Sequence, residues 1–316
     1  MLPRLTLVGL LLAAASALPA QEQDFSKVEI KSVPLGANLY LLEGSGGNIA
    51  ALTGSDGVLL VDDEFGALAD KIRAALRGLG ANQPVRFVIN THYHFDHTDG
   101  NLAFAQAGAA IIAHDNLRAR LASGGVIGNG GSISKEVPAA PAGALPAVTY
   151  DRELTLHLDG ESVRVHHYPN AHTDGDSVVF FTQAKVVHMG DIFVRYGFPF
   201  IDTNGGGNVR GMIAACEDVV HSVPPDTKII PGHGEVATVA DLREYTDMLK
   251  TTTALVEQAL AAGKTLEQMK QAKLLGAFSA RYAPPKAFVD TDAFTESLYN
   301  SLKMPRPRQG PVRRPR

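Results

Sequence analysis

The sequence THYHFDH, residues 91–97, places three of the chain's 11 histidines within six positions. His92 and His94 are two positions apart on a segment that continues an apolar strand, so an extended backbone would direct their side chains to the same side. Asp96 and His97 follow at the turn and can face a second direction. Imidazole nitrogens and carboxylate oxygens are ligands of Zn²⁺ and similar cations. The stretch therefore favours a metal site over a polar surface loop, with space for two ions roughly 3.5–4 Å apart, as in two-metal hydrolases.

Three later segments offer ligands of the same kind, each after an apolar strand. They are His172 in NAHTDGD, Asp191 in VVHMGD and His233 in IIPGHG. Glycine or proline favours a turn at each of these points. Side chains at strand ends around one edge of a sheet can build a rigid site from distant parts of the chain.

The order of the predicted elements indicates two packed sheets with helices outside. Four early strand-like segments predict an antiparallel meander, and strands and helices then alternate up to a long amphipathic helix at 239–262. Residues 123–149 are rich in Gly, Pro, Ser and Ala and are predicted to form a long loop, either a functional lid or a mobile connection. No linker divides the body, so we predict one α/β domain over residues 21–304, with C-terminal helices from about residue 240.

Composition and charge are those of a soluble globular protein. The chain has 316 residues, of which 45% are hydrophobic and 20% charged, and its net charge of −4 gives no reason to expect a nucleic-acid partner. Cys216 is the only cysteine, so an internal disulfide is impossible. Its apolar helical surroundings predict a buried structural thiol.

The two ends of the chain differ from this body. Arg4 and the apolar run LTLVGLLLAAASAL, followed by small residues, predict a signal peptide at residues 1–20. The run is too short for a comfortable transmembrane span of about 20 residues. We therefore expect an exported, periplasmic protein without a stable membrane anchor after signal removal. Residues 305–316 are basic and rich in proline, which predicts a disordered tail.

In this order and spacing, the segments HYHFDH, AHTDGD, HMGD and PGHG resemble the metallo-β-lactamase superfamily of metal-dependent hydrolases. The resemblance extends from about residue 35 to about residue 240 and includes GSDGVLLVDD near its start. It implies an αββα sandwich, in which two mixed β-sheets are flanked by helices and the active site lies at one edge of the two sheets.

The resemblance also implies ligands for two metal ions. The first ion would be bound by His92, His94 and His172, and the second by Asp96, His97 and His233, with Asp191 as the bridge between them. Asp62, at the end of GVLLVD, looks like the family's aspartate behind the ligands, which orients their imidazole rings. Two Zn²⁺ ions per chain are the expected cofactors, and a site of His and Asp also suits Fe or Mn.

The implied chemistry is hydrolysis of a small molecule. A hydroxide that bridges the two ions would attack a carbonyl carbon, and Asp96, as the catalytic residue, would bind metal and orient this nucleophile. In place of Asp191 the zinc β-lactamases have a cysteine, whereas thioesterases, lactonases and nucleases of the superfamily have a carboxylate. Because β-lactams act outside the cytoplasm, the expected export favours a β-lactamase-like enzyme that opens a cyclic amide. The enzyme alternative is a lactonase or another carboxylic ester or thioester hydrolase. A metal-binding protein without turnover is the alternative from a different class.

Two further sets of residues lie outside these ligands. Asn204 and Asn208, in the glycine-rich loop after Asp191, are candidates for contact with a substrate oxygen. The six remaining histidines do not match ligand positions, so structural roles are expected for them; they are His114, His157, His166, His167, His188 and His221.

Overall fold

The computed structural model describes residues 24–36 and 38–304. The predicted signal peptide and the predicted disordered tail lie outside these ranges. Within them, no helix combines the length and the apolar character that a membrane crossing requires. Export and the limits of the domain therefore stay predictions.

Strands and helices alternate along the described chain. The strands are β1 (Lys31–Gly36), β2 (Leu39–Glu43), β3 (Ile49–Leu52), β4 (Val58–Val61), β5 (Val85–Ile89), β6 (Ala110–His114), β7 (Gly125–Gly128), β8 (Ser134–Val137), β9 (Val148–Tyr150), β10 (Glu153–Leu158), β11 (Glu161–His167), β12 (Ser177–Phe181), β13 (Val186–His188), β14 (Lys228–Ile230) and β15 (Ala237–Thr238). The α-helices are α1 (Ala69–Gly78), α2 (Phe95–Thr98), α3 (Asn101–Gln106), α4 (Asp115–Ser123), α5 (Val209–Ser222), α6 (Val239–Ala261), α7 (Leu266–Gln271), α8 (Ser279–Tyr282) and α9 (Thr291–Lys303).

Most of these strands belong to two sheets. The first has the order β1-β2-β3-β4-β5-β6-β9, in which β1 to β4 form the predicted antiparallel meander and β5, β6 and β9 continue parallel to β4. The second has the order β10-β11-β12-β13-β14-β15 and is antiparallel except for the pair β13 and β14. Strands β7 and β8 pair with each other as a separate hairpin. Both large sheets are therefore mixed.

Strand β4 shows how the sequence builds a layered structure. All four of its residues are buried and apolar, because successive side chains enter opposite faces of the sheet and both faces are covered. Leu59 and Val61 pack in the core between the two sheets, together with Val163 of β11. Val58 and Leu60 pack in the core beneath helices α1 and α3.

Helices also cover the outer face of the second sheet. Met212 of α5, Leu249 of α6 and Phe294 of α9 share one hydrophobic core with Phe180 of β12. The layers are therefore helix, sheet, sheet and helix, which confirms the predicted αββα sandwich.

Residues 123–149 differ from the predicted long loop. They contain the hairpin β7–β8, a 3₁₀ helix at Ala142–Ala144 and the start of β9, which extends the edge of the first sheet beside β6. The alternation that identifies a strand covers only two residues here, since Val126 is exposed and Ile127 is buried between glycines. So short a pattern does not distinguish a hairpin from a loop in the sequence.

Candidate metal centre

The predicted ligands converge at one edge of the sandwich, beyond the ends of strands. Residues 91–97 follow β5, His172 lies between β11 and β12, Asp191 lies in a 3₁₀ helix after β13, and His233 follows β14. The turn between β2 and β3 closes the same edge, because the side-chain amide of Asn48 donates two hydrogen bonds to the loop after β14, at 2.9 and 2.7 Å. Both sheets thus contribute to one cluster.

His92, His94 and His172 form a first group, whose ligand atoms lie within 4.8 Å of one another. His172 Nε2 is 3.0 Å from His94 Nδ1, and all three residues are buried. His92 Nε2 is buried and has no hydrogen-bond partner. An unpaired buried polar atom is rare in a folded protein, so this nitrogen fits a metal ligand better than a structural histidine.

Asp96, His97 and His233 form a second group, whose ligand atoms also lie within 4.8 Å of one another. His233 Nε2 is 3.3 Å from His97 Nε2 and 3.3 Å from Asp96 Oδ2. The side chains of Asp96 and His233 are each 23% exposed, whereas that of His97 is buried. The cluster is therefore open to solvent on the side of Asp96 and His233.

Asp191 lies between the two groups. Its Oδ1 is 3.2 Å from His97 Nε2, and its Oδ2 is 3.9 Å from His172 Nε2. Oδ1 is buried and, like His92 Nε2, has no hydrogen-bond partner. Asp191 thus faces both groups, and buried nitrogen and oxygen atoms without hydrogen-bond partners lie in the cluster. Divalent cations prefer such atoms as ligands, so the arrangement fits a pair of bound ions.

Asp62 orients His97 from behind the cluster. Asp62 Oδ2 accepts hydrogen bonds from His97 Nδ1 and from the hydroxyl of Thr91, both at 2.7 Å, and Oδ1 accepts one from the backbone N–H of Thr91, at 2.7 Å. Asp62 is fully buried and has a φ of 63°. With the Nδ1 proton held on this side, Nε2 of His97 is directed into the cluster, where it can bind a cation once its own proton is displaced.

Asp202 supports His94 in the same way, although it lies outside the motifs that supply the predicted ligands. Its Oδ2 lies 3.0 Å from His94 Nε2 and accepts a hydrogen bond from the Tyr93 hydroxyl. Its Oδ1 accepts hydrogen bonds from the backbone N–H groups of Gly128 and Gly205, at 2.9 and 2.8 Å. The one signal for Asp202 in the sequence is its place, shortly before the glycine-rich loop.

Two further contacts orient the other imidazoles of the cluster. His172 Nδ1 donates a hydrogen bond to the carbonyl of Phe200 at 2.9 Å, and His92 Nδ1 lies 3.1 Å from the hydroxyl of Thr91. Each histidine of the first group, like His97, therefore has one ring nitrogen engaged outside the cluster and the other directed into it.

The two groups differ in charge in the metal-free protein. Burial and the neighbouring imidazoles lower the pKa of His172 to about 4. Burial lowers the pKa of His233 too, but the Asp191 carboxylate outweighs it and raises this pKa to about 9. Burial raises the pKa of Asp96, but the charges of His97 and His233 outweigh it and lower this pKa to about 2. Burial lowers the pKa of His97 as well, but the Asp191 and Asp62 carboxylates outweigh it and raise this pKa well above its usual value. A cation can therefore bind neutral His172 directly, whereas it must displace protons from His97 and His233.

Glycines let the backbone approach the cluster closely. A Cβ atom at Gly47 would overlap the ring of His97, and one at Gly232 would overlap Oδ1 of Asp191. Neither position accepts a side chain unless a predicted ligand moves.

The two asparagine candidates differ in their access to a substrate. Asn208 is 2% exposed, and its side chain accepts a hydrogen bond from the backbone N–H of Arg210 and donates one to the carbonyl of Ser301, both at 3.0 Å. Asn208 thus caps helix α5 with its polar groups engaged, which disfavours a contact with substrate, and that contact stays a prediction. Asn204 is exposed, and its contact with substrate stays a prediction.

Residues expected to be structural have partners other than the predicted ligands. His188 Nε2 donates to the carbonyl of Asn48 at 2.9 Å, and the rings of His114 and His167 stack with centroids 3.5 Å apart. Cys216 is buried, as expected, and burial raises its pKa to about 12.

Comparison with known proteins identifies relatives in sequence. A family model described as the metallo-beta-lactamase superfamily matches residues 40–275. The alpha subunit of 2,4-dinitroanisole O-demethylase from a Nocardioides species is 24% identical over 233 residues, which are 71% of this chain and 63% of that protein. Hydroxyacylglutathione hydrolase from a Polaromonas species is 29% identical over 147 residues, which are 46% of this chain and 47% of that protein. The chain thus spans less than two thirds of the length of either relative.

Solved structures resemble the fold at low sequence identity. The DIM-1 metallo-beta-lactamase matches with a TM-score of 0.57 and 18% identity, over 71% of this chain and 99% of that one. A double mutant of the sec-alkyl sulfatase PisA1 matches with a TM-score of 0.64 and 16% identity, over 87% of this chain and 50% of that one. At sequence identities of 18% and 16%, these two matches show a similar fold and no more.

Proposed function

The chain belongs to the metallo-β-lactamase superfamily, and we propose that it is a binuclear hydrolase that opens a cyclic amide in the manner of a β-lactamase. The superfamily consists of metal-dependent hydrolases, which include β-lactamases and hydroxyacylglutathione hydrolase among the similar proteins. The position of Asp191 carries the binuclear part of the proposal, because its two carboxylate oxygens face the two ligand groups at 3.2 and 3.9 Å. The choice of a cyclic amide rests on the expected export.

The protein's own side chains supply the arrangement that this chemistry requires. Two divalent cations, when bound, acidify a water molecule and polarise a carbonyl oxygen. Asp96 lies on the open side of the cluster, where its carboxylate can accept a hydrogen bond from the attacking water and orient it. Asp62 and Asp202 meanwhile keep the imidazoles directed into the cluster.

Hydrolysis of a carboxylic ester, a lactone or a thioester is the second candidate. Two observations favour it. The residue between the ligand groups is the carboxylate of Asp191 rather than a thiolate, and one relative is named hydroxyacylglutathione hydrolase, although the similarity covers 47% of that protein. Both candidates need the same ligand groups and differ in the leaving atom, which is nitrogen in an amide and oxygen or sulfur in an ester.

Zinc and export to the periplasm belong to the same proposal. Imidazole and carboxylate ligands suit Zn²⁺, and they also suit Fe and Mn. Metal analysis of protein purified without added metal would identify the native ion. Export predicts a periplasmic chain whose N-terminus lies near Gln21, and an uncleaved cytoplasmic chain would contradict it.

One set of assays distinguishes the two candidates. The mature protein, loaded with zinc, is given a chromogenic β-lactam, a lactone and a thioester, and each assay is repeated after chelation and with Asp96→Ala. We expect β-lactam turnover that is lost on chelation and falls by about 100-fold or more in Asp96→Ala. Asp70→Ala is the matched control and should keep full activity, because the side chain of Asp70 is 96% exposed.

The other outcomes are equally informative. Turnover of the thioester or the lactone alone would select the second candidate. A protein that holds two ions per chain and hydrolyses none of the substrates would contradict both candidates and leave a metal-binding protein without turnover.

A further inference from the structure

Phe288 is the most exposed large hydrophobic residue in the described part of the chain, at 65%. It lies between α8 and α9, beyond the residues 40–275 that the family model matches. A large apolar side chain gains free energy when another apolar group covers it. The residues around Phe288 indicate what kind of group could cover it.

Phe288 belongs to an aromatic cluster that reaches the metal centre along two lines. Its ring centroid lies 6.3 Å from that of Tyr196 and 5.9 Å from that of Phe200. The Tyr196 ring lies 5.7 Å from the ring of His233, and the Phe200 ring lies 5.9 Å from that of His94. Phe288 is therefore one ring removed from both ligand groups. We call Tyr196, Phe200 and Phe288 the aromatic rim.

The aromatic rim borders the open side of the cluster. His233 is one of the two partly exposed ligands, with 23% of its side chain exposed, and the half-buried ring of Tyr196 packs edge-on against it. A substrate that approaches His233 and Asp96 from solvent consequently passes next to the rim.

The C-terminal segment supports the rim from beneath. The backbone N–H of Phe198 donates a hydrogen bond to the carbonyl of Tyr282 at 2.8 Å. The Phe198 ring stacks on the rings of Tyr282 and Phe294, with centroids 5.5 and 4.3 Å apart. Gly197 has no side chain where a Cβ atom would overlap the Tyr282 carbonyl. The loop that carries two rim residues and the segment that carries Phe288 are thus packed together.

We propose that the aromatic rim binds an aromatic group of the substrate and that Phe288 determines this specificity. The inference rests on the proposed function, because the reacting carbonyl must lie at the ligand groups. Aromatic rings pack favourably at centroid distances of about 4.5–7 Å. An acyl substrate with an aryl side chain can therefore place its carbonyl at the cluster and its ring on Phe288.

A binding experiment tests the rim independently of turnover. The chain has no tryptophan, so Phe288→Trp introduces a single tryptophan into the rim, whose fluorescence can be excited selectively over that of the eight tyrosines. Phenylacetate and acetate share a carboxylate that can bind to the zinc-loaded protein, but only phenylacetate has a ring. We expect the fluorescence to respond to phenylacetate at concentrations about five- to tenfold lower than to acetate. Val33→Trp is the matched control and should not respond, because Val33 is an exposed residue on edge strand β1.

Calorimetry then compares the two ligands on chains without the introduced tryptophan. Phe288→Ala should weaken phenylacetate binding about five- to tenfold and leave acetate binding unchanged, and Phe288→Tyr should retain the preference. Equal phenylacetate affinity in the native chain and Phe288→Ala would overturn the proposal. It would place the ring elsewhere, for example in the cavity of about 320 Å³ lined by Tyr93, Phe95 and Lys135.

Turnover separates this inference from the proposed function. For the β-lactam candidate, the substrate pair is benzylpenicillin and the penicillin nucleus without an acyl side chain, which share one ring system and differ by a phenylacetyl group. For the second candidate, the pair is a phenylacetyl thioester and an acetyl thioester. Phe288→Ala should raise KM about five- to tenfold for the phenylacetyl member alone. If both members are hydrolysed and Phe288→Ala changes KM equally for both, the proposed role of the rim is contradicted. Phenylacetate binding at Phe288 without any hydrolysis would support the rim and contradict the proposed function.

Discussion

At the scale of single residues, carboxylates outside the ligand groups set the directions of the imidazoles within them. Asp62 accepts a hydrogen bond from His97 at 2.7 Å, and Asp202 lies 3.0 Å from a ring nitrogen of His94. Both carboxylates approach the imidazole from the side away from the cluster. The ligand geometry therefore depends on residues that need not touch a cation themselves.

Asp62→Asn should weaken metal binding without disturbing the backbone. Asparagine tolerates the φ of 63° at this position, but its amide replaces the charged acceptor of the His97 proton. Loss of such a partner costs roughly 10–100-fold in metal affinity. Competition with a chromophoric zinc chelator measures the change, and Asp70→Asn provides the control. An unchanged affinity in Asp62→Asn would contradict the role assigned to this carboxylate.

The contrast between Asp96 and Asp202 shows what the sequence can reveal at this scale. Asp96 lies within the same seven-residue segment as three histidines, so the local pattern identifies it. Asp202 is 108 positions from His94, and its neighbours in sequence do not distinguish it from a surface aspartate. Only the folded chain brings the two together.

At the scale of elements, tight turns at strand ends bring the ligand groups together, and helix caps fix the loops around them. The strands were predictable because alternating or continuous apolar residues persist over four or more positions, as in β4. The hairpin β7–β8 was not, because its glycine-rich strands carry too short a pattern. One turn and one helix cap lead to quantitative expectations.

Gly47→Ala should selectively disturb the second ligand group. The added methyl group would overlap the ring of His97, so the imidazole must leave its present position beside His233 and Asp191. We expect zinc bound per chain, measured by metal analysis after dialysis, to fall from two ions toward one. Gly78→Ala is the control, because a Cβ at the end of helix α1 meets no atom within 4 Å. Full occupancy in Gly47→Ala would contradict the close packing of this turn against His97.

Asn208→Ala should lower stability rather than substrate affinity. The substitution removes the cap of helix α5 and the hydrogen bond to Ser301, and a lost cap costs about 1 kcal/mol in the free energy of unfolding. Urea denaturation of the metal-loaded protein measures this change, and steady-state kinetics should give an unchanged KM. Unaltered stability together with a raised KM would instead support Asn208 as a substrate contact.

At the scale of the whole molecule, metal binding and folding should be coupled, because both sheets contribute ligands. His97 follows β5 of the first sheet, whereas His172, Asp191 and His233 come from the second. Their donor atoms form one site only when the sandwich is assembled. A cation that binds this site therefore stabilises the fold as a whole.

The pKa values predict opposite pH trends for the metal-free protein and for metal binding. The raised pKa of His233 contributes stability that is fully present below 6.5 and is lost as the pH rises through about 9. The lowered pKa of Asp96 contributes stability that is present above 3.8 and is lost as the pH falls through about 2. Zinc affinity should instead increase as the pH rises toward 9, since zinc displaces the His233 proton.

Thermal unfolding with and without zinc, between pH 6.5 and about 9, tests these trends. The Tm of the metal-free protein should fall over this range, and the difference in Tm between the two forms should grow. A difference in Tm that does not change with pH would show that His233 does not hold a proton in the metal-free cluster.

The overall architecture was the most predictable feature, and the aromatic rim the least. The alternation of strands and helices indicated two packed sheets with helices outside, and the family resemblance of the ligand segments implied the αββα sandwich. Phe288 lies beyond the region of resemblance, in a stretch without metal-binding residues, and nothing in its neighbourhood in sequence indicates a site. Its significance depends on the packing of the last helices against the loop that carries Tyr196 and Phe200.

The central claim is that hydrolysis requires two cations held by ligand groups that Asp191 joins. The most direct test is to titrate Zn²⁺ into chelated protein while the ion bound per chain and the rate of hydrolysis of the best substrate are measured in the same sample. We predict that the rate reaches its plateau at two ions per chain and that Asp191→Ala never approaches this rate. A plateau at one ion per chain, or full activity in Asp191→Ala, would contradict the claim.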